Sequence, residues 1–199
     1  MPRGKAPTFD SQRTAILRTA ATLFAEKGFA SASMADLAKA CGVSKALLYH
    51  YYRDKAHLLF DTADSYLDTL IAIVAEVRER KLAPMDHFKA LVARLMQEYE
   101  HAQAQHMVLV QDVKFLGAAE HARIIAKERQ VVDAVAQAIA ALKPRFRKKA
   151  MRVPLAMILF GMINWTFTWL RPDGPLSYDD MSAVVAEIFL GGVAIPQQS

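Results

Sequence analysis

Apolar residues recur at helical spacing along the whole chain, and this periodicity constrains the fold more than any other feature. A first segment ends at Gly28 and carries an apolar stripe made of Ile16, Ala20, Leu23 and Phe24. β-branched residues never alternate with polar ones for long, so the sequence contains no strand signal. The pattern therefore predicts an all-α protein of about nine helices.

Cap residues and glycine divide the following part into two short helices. Ser33, with Asp36 three positions later, has the pattern of an N-cap and opens a helix of about two turns that ends at Gly42. A third helix is predicted from about Ser44 to Tyr52. Two short helices joined by a glycine-containing turn and set on a supporting first helix are typical of a helix-turn-helix.

Positive charge is concentrated in the same part of the chain. The net charge is +5, and residues 1–55 carry nine Lys or Arg against four Asp or Glu, whereas the other 144 residues carry 16 of each sign. This asymmetry is expected when one end of a protein meets a polyanion, and a solvated basic face is the alternative. We predict a three-helix DNA-binding domain over 1–54, followed by a larger helical domain over 55–199. Arg3 and Lys5 could enter a minor groove or belong to a disordered tail.

The third predicted helix has an apolar side and a polar side. Val43, Leu48 and Tyr52 recur at spacings suited to packing inward. The side chains left facing outward are Ser44, Lys45, Leu47, Tyr49, His50 and Tyr51. A helix that binds a DNA groove needs this division, because polar groups must reach phosphates and base edges.

Roles for the outward side chains follow from their chemistry and position. Lys45 lies in the first turn, where it could contact a guanine, and Leu47 could pack on a thymine methyl. Tyr49, Tyr51 and Lys55 better suit phosphate oxygens. The alternative for the tyrosines is half-buried packing, which is our interpretation of Tyr52.

The run VPLAMILFGMINWTFTWL, from Val153 to Leu170, has eighteen residues without a charge. It belongs to a helix predicted over 146–170, which is either a short membrane span or a helix covered by its own core and a partner subunit. Pro154, Asn164 and the threonines favour the second interpretation. A final helix over 178–190, capped by Ser177, would pack beside it and complete a two-fold four-helix bundle through Val184, Val185 and Ile188.

A homodimer is also expected from the DNA side. One short recognition helix buries too little surface for useful affinity, whereas two can read half-sites about 34 to 36 Å apart. The operator should therefore be a near-palindrome.

A large apolar set with one amide could line a cavity for a small molecule. Its members are Tyr99, Met107, Phe115, Met162, Asn164, Trp165 and Trp169. The alternative for each of them is ordinary core packing.

Catalytic and metal-binding patterns are absent from the sequence. His101 and His106 are five positions apart, which does not place two ligands on one helical face, and the single cysteine, Cys41, has no partner. No nucleophile motif or phosphate-binding glycine loop is present. We therefore expect no enzyme, no metal site and no cofactor. One cysteine and a start without an apolar run suggest a cytoplasmic protein.

The stretch LFAEKGFASASMADLAKACGVSKALLYHYYRDKAHLL, from Leu23 to Leu59, resembles the TetR family of transcriptional repressors almost without gaps. The resemblance implies a dimer in which a ligand shifts the helix after Asp54 and weakens DNA binding. Leu47 departs from the small hydroxyl residue common there. The residues that the resemblance implies line the DNA are Ser33, Ser44, Lys45, Ala46, Leu47, Tyr49, His50, Tyr51 and Lys55.

Two further stretches, KFLGAAEHARIIAKERQVVDAV and GMINWTFTWLRPDGPLSYDDM, are similar to regulators of fatty-acid, steroid or aromatic-acid breakdown whose effectors are coenzyme A thioesters. The coenzyme A part of such a thioester carries several phosphate charges. The basic side chains that could offset them are Arg123, Lys127, Arg145, Lys148, Lys149 and Arg152. The last four form one basic stripe within 143–152, and the alternative for this stripe is an ordinary solvated helix start.

The resulting hypothesis is a dimeric repressor that a small hydrophobic effector releases from its operator. A different class of function is an α-helical carrier of acyl thioesters without specific DNA binding. A peripheral membrane protein that uses the helix over 153–170 is a third possibility.

Overall fold

The computed structural model describes residues 9–142, 148–171 and 173–192, and within these ranges every regular element is helical. This confirms the predicted all-α class. The nine α-helices of the described ranges are α1 (Phe9–Lys27), α2 (Met34–Ala40), α3 (Lys45–Tyr51), α4 (Lys55–Glu79), α5 (Pro84–His101), α6 (Gln103–Gln111), α7 (Ala118–Leu142), α8 (Lys149–Asn164) and α9 (Tyr178–Gly192).

The chain forms two compact units. Among the described residues, unit 1 contains everything up to Tyr66 together with Ala104–Ile124, and unit 2 contains Leu67–Gln103 and the residues from Ile125 onward. Helices α4 and α7 therefore contribute to both units. The domain boundary expected after residue 54 stays a prediction, since these units follow compactness rather than function.

Unit 1 is built on α1, against which α2 packs, and α3 packs against α2 in turn. Ile16, Ala20 and Phe24 form the buried face of α1, as the sequence stripe predicts, whereas Leu23 is only half-buried. Leu37 of α2 and Leu48 of α3 are completely buried. Full burial of a leucine contributes about 1.5 to 3 kcal/mol, so these side chains hold the short helices that cannot persist alone.

The segment Ala104–Ile124 belongs to unit 1 through direct side-chain contacts. Phe115, in a 3₁₀ turn after α6, stacks on Phe29 with ring centroids 5.2 Å apart. Arg53 donates to the Glu120 carboxylate at 3.3 Å. These contacts link the Ala104–Ile124 segment to residues of the helix-turn-helix region that lie more than sixty positions earlier in the sequence.

In unit 2, α5 packs against α9, and the Phe88 and Phe189 rings stack with centroids 5.4 Å apart. Pro84 is the first residue of α5, where its missing N–H costs no hydrogen bond. Ser177 caps α9 as predicted, because its hydroxyl accepts from the Asp180 amide at 3.0 Å. The first turns of α5 and α9 are therefore set by local sequence.

The long helix predicted over 146–170 is wrong in its last six residues. Helix α8 ends at Asn164 and a 3₁₀ turn covers Thr166–Thr168, whereas residues 146 and 147 lie outside the described ranges. Thr166 donates its hydroxyl to the Ile163 carbonyl oxygen at 2.7 Å, and Thr168 does the same to Trp165 at 2.7 Å. Hydroxyls that bond nearby carbonyls compete with the α-helical ladder, which accounts for the tighter turn.

Candidate nucleic-acid interface

The entry to the helix-turn-helix is a complete capping box. The Ser33 hydroxyl accepts from the Asp36 amide at 3.1 Å and donates to the Asp36 carboxylate at 2.7 Å, and the Ser33 amide donates to the same carboxylate at 3.0 Å. The Lys27 ammonium lies 2.8 Å from that carboxylate. Lys27 first, and the Ser33 groups second, hold the pKa of Asp36 below its usual range. Ser33 thus has a structural role, and its DNA contact stays a prediction.

The turn between α2 and α3 depends on Gly42, whose φ of +64° lies in the left-handed region. Ser44 then caps α3 by accepting from the Leu47 amide at 3.1 Å. Lys45, in the first turn, is exposed. Gly42 and Ser44, which act on nearby backbone groups, therefore set the first turn of α3, and this turn leaves Lys45 exposed.

Helix α3 has one buried and one exposed side. Leu48, together with the C-cap residue Tyr52, lies in the core. Leu47 and Tyr51 are half-buried, so they contribute less surface than the sequence suggests. The exposed side carries Ser44, Lys45, Ala46, Tyr49 and His50.

Tyr51 is tied to the first helix. Its ring stacks on Phe9 at a centroid distance of 4.6 Å, and its hydroxyl donates to the Gln12 side chain at 3.3 Å. A tyrosine held by α1 keeps one fixed orientation at the edge of the exposed face. A phosphate contact by Tyr51 stays a prediction.

Lys55 has a role that the sequence did not reveal. Its ammonium donates to the backbone oxygens of Phe29, Ala30 and Ala32, at 2.6, 3.1 and 2.8 Å, and lies 4.5 Å from the Phe29 ring centroid. An ammonium has three protons, and all three are used here. The expected phosphate contact would require Lys55 to give up at least one of these bonds, so we assign it instead to closing the loop between α1 and α2.

The candidate effector residues are divided between the two units. In unit 1, Met107 is half-buried, Phe115 stacks on Phe29, and Arg123 pairs with Asp64 at 3.1 Å. In unit 2, Lys127 pairs with Asp68 at 2.7 Å and Met162 is half-buried. Each basic side chain thus forms an ion pair with an acid of α4.

Within unit 2 the structure brings two of the predicted ligand residues together. Tyr99, which is buried, donates its hydroxyl to the Asn164 side-chain oxygen at 3.0 Å, and burial raises the pKa of this tyrosine. Trp165 and Trp169 lie elsewhere, 61% and 53% exposed. Trp165 directly precedes the 3₁₀ turn that comes after α8, and Trp169 directly follows it. Because both side chains are exposed, they do not line an interior of the single chain, and their contact with a ligand stays a prediction.

A groove of about 530 Å³ in unit 2 lies between α4, α5 and α7. None of the predicted ligand residues lines it. The α4 side chains that line it are Ile71, Val74, Ala75 and Arg78. The α5 and α7 side chains that line it are His87, Leu91, Gln130, Asp133, Ala134, Gln137, Ala138 and Ala141.

Exposed apolar side chains are concentrated on α8, α9 and the turn between them. Ile188 of α9 is 60% exposed and Val184 is also exposed, whereas Val185 faces the core. One described segment, Ala150–Thr168, is long and apolar enough by length and composition to cross a membrane. Of its most apolar eighteen-residue stretch, 39% is buried. The exposed members of α8 and the following turn are Met151, Val153, Met157, Ile158, Trp165 and Trp169.

Several predicted features lie at or beyond the edge of the described ranges. Arg3, Lys5 and Arg145 fall outside them, and Lys148 and Arg152 are exposed at the start of α8. Lys149 opens α8. The described residues contain no group of three His, Cys, Asp or Glu side chains that could hold a metal ion.

Comparison with known proteins agrees with this architecture. Residues 16–62 match the family model for bacterial regulatory proteins of the tetR family, and residues 81–193 match the model for the tetracyclin repressor-like C-terminal domain. The HTH-type transcriptional repressor KstR2 of Rhodococcus jostii is 29% identical over 193 residues, which cover 93% of this chain and 92% of that protein.

Solved structures share the fold over nearly the whole chain. A TetR-family transcriptional regulator from Bordetella parapertussis superposes with a TM-score of 0.87 at 29% identity, covering 96% of this chain and all of that one. AibR, solved in complex with isovaleryl coenzyme A and operator DNA, has a TM-score of 0.78 at 23% identity, covering 89% and 97%. The exposed, capped α3 and the matches over both parts of the sequence lead to one conclusion: the chain belongs to the TetR family of transcriptional regulators.

Proposed function

We propose that the protein is a homodimeric repressor in the cytoplasm, and that a small hydrophobic effector, a coenzyme A thioester, releases it from a palindromic operator. The observation that carries DNA binding is the exposed side of α3, where Lys45, Tyr49 and His50 stand on a helix whose opposite side is buried. The positive charge of residues 1–55 favours the same surface for a polyanion.

The dimer is supported by the exposed apolar side chains of α8 and α9. Soluble monomers rarely expose large contiguous apolar surfaces, and a second copy would cover this one by a two-fold contact between α8 and α9 of each protomer. A membrane would cover it as well, but the 3₁₀ turn after Asn164 shortens α8 to sixteen residues. About twenty residues are needed to span a bilayer, so we propose the partner subunit rather than lipid.

The effector class is supported by the kind of molecule that related regulators bind. AibR was crystallised with isovaleryl coenzyme A, and KstR2 of Mycobacterium tuberculosis, with a TM-score of 0.81, is described as a ketosteroid transcriptional regulator. In this chain the buried Tyr99 and the half-buried Asn164 offer a polar pair for orienting a ligand in unit 2. Arg123 and Lys127 each lie beside a carboxylate, Asp64 and Asp68 respectively, which reduces the positive charge that a phosphate would meet there.

Two experiments test the proposal in sequence. A duplex selected from a random pool should bind the purified protein with affinity that falls steeply as salt rises, and Tyr49→Phe should weaken binding at all sequences alike if Tyr49 contacts phosphate. A carrier protein would show no preference for any duplex.

Isovaleryl coenzyme A, free coenzyme A and isovalerate are then compared by thermal shift and by release of the duplex. A ligand at 100 times its Kd stabilises the native state by about 2.7 kcal/mol. The thioester should both raise Tm and lower duplex affinity. If no acyl coenzyme A ester raises Tm, the effector class is wrong, whereas the operator-binding proposal is judged on the duplex alone.

A further inference from the structure

One carboxylate of α4 connects α4 to two other helices of unit 1. Asp61 accepts from the Arg13 guanidinium through both of its oxygens, with Nε 3.0 Å from Oδ2. The Tyr52 hydroxyl donates to the same Oδ2 at 2.8 Å. The Asp61 side chain is only 15% exposed. Arg13 belongs to α1 and Tyr52 is the C-cap residue of α3, so three helices meet at one acid.

The contacts restrict orientation as well as distance. A guanidinium that engages both carboxylate oxygens fixes the plane of the carboxylate. The shared Oδ2 then holds the Tyr52 hydroxyl in one direction. Burial, and next the bond to Asp61, raise the pKa of Tyr52, so its phenol is protonated and donates at neutral pH.

The Tyr52 end of α3 is held by a contact from outside the helix. Helix α3 has seven residues, which corresponds to about 10 Å of length, so one end cannot tilt without displacing the other. Ser44 caps the far end, close to Lys45, through a bond within the helix itself. The hydrogen bond from Tyr52 to Asp61, in contrast, joins α3 to the helix that follows it.

We infer that Asp61 is a positioning residue for sequence reading: through Tyr52 and Arg13 it holds the recognition helix at the angle that aligns its first turn with base edges. The inference rests on the proposed binding to an operator. It assigns Asp61 no contact with DNA. It also explains why a polar residue occupies this position between the buried Leu58 and Leu59 and the buried Thr62 of α4.

The test compares affinity for the selected operator with affinity for a random duplex. Asp61→Asn removes the charge and keeps the size, and Tyr52→Phe removes only the hydroxyl and keeps the buried ring. Glu76→Gln is the matched control, because Glu76 lies on the same helix and pairs with Arg94 at 3.2 Å in unit 2. Each variant is studied as the full chain, well below its melting temperature.

We expect Asp61→Asn to lower operator affinity by about tenfold, the loss of about one base contact. Affinity for the random duplex should not fall, and the salt dependence should match the wild type, because no phosphate contact is removed. Tyr52→Phe should change the ratio of the two affinities in the same direction, and the double variant should be no worse than Asp61→Asn. Glu76→Gln should leave the ratio unchanged.

A ratio that stays at the wild-type value in both Asp61→Asn and Tyr52→Phe would overturn the inference. A parallel loss on both duplexes would do the same, since it would indicate destabilisation rather than positioning. If the wild type itself prefers no duplex, the proposed operator binding fails, and the inference fails with it.

Discussion

Replacing Lys55 by Met tests the role that the structure assigns to this side chain. Methionine keeps most of the aliphatic stem and removes the ammonium that bonds the oxygens of Phe29, Ala30 and Ala32. A hydrogen bond to a charged group contributes about 1.5 to 3 kcal/mol. The three bonds do not add, because the freed oxygens lie at a surface loop and regain water. We therefore expect a net loss of about 2 kcal/mol, close to one such bond.

Hydrogen exchange measures this loss locally, which suits a protein of two compact units. The Ala32 amide donates to the Gly28 oxygen at 3.2 Å, so it reports on opening of the loop. A loss of about 2 kcal/mol corresponds to exchange about thirtyfold faster at that amide. Lys39→Met, at an exposed lysine of α2, is the control and should change exchange there by less than about threefold.

DNA binding provides the result that would refute this reasoning. If Lys55 contacted a phosphate in each protomer, Lys55→Met would reduce the salt slope of operator binding by about 0.9 per contact. We expect an unchanged slope. Unaltered exchange at Ala32 together with a reduced slope would mean that the ammonium serves DNA and not the loop.

Three further changes have defined outcomes. Gly42→Ala should cost about 1 to 2 kcal/mol in urea unfolding from its positive φ alone, since nothing lies within 4 Å of the added Cβ; an unchanged midpoint would contradict this. The pKa of Asp36 is lowered in the fold, so ionised Asp36 stabilises the native state above the ordinary pKa of 3.8, and this stabilisation is lost as pH falls below that value. Urea midpoints measured at decreasing pH should show this loss, and the loss should be smaller in Lys27→Met. Ile188→Glu should give monomers in sedimentation and abolish tight operator binding, whereas the same change at the exposed Met85 of α5 should leave the sedimentation coefficient unaltered.

Local sequence determined the helical class, the helix-turn-helix and most helix ends. Ser33 with Asp36, Gly42 at the turn, and Ser177 before α9 act on backbone groups within about four positions, so their effects can be inferred without knowing the fold. The buried side of α3 was equally accessible, since Leu48 and Tyr52 lie four residues apart on one face.

Tertiary structure alone decided which partners the charged and polar side chains find. Lys55 meets a loop 23 to 26 positions earlier, and Asp61 meets Arg13 across 48 positions. Periodicity indicates which face of a helix is buried, but the identity of the group opposite depends on how distant helices pack. The polar Asp61, Thr62 and Asp64 within the apolar face of α4 were the available signal, because a polar side chain near a core requires a partner.

The same distinction explains the end of α8 and the tryptophans after it. A continuous apolar run has the same pattern whether it is one long helix or a helix followed by a turn, so composition alone could not place the boundary at Asn164. Hydroxyl bonds from Thr166 and Thr168 to backbone oxygens close the turn, and the turn leaves Trp165 and Trp169 exposed. Sequence determines local backbone preference, whereas exposure is a property of packed helices and depends on residues far along the chain.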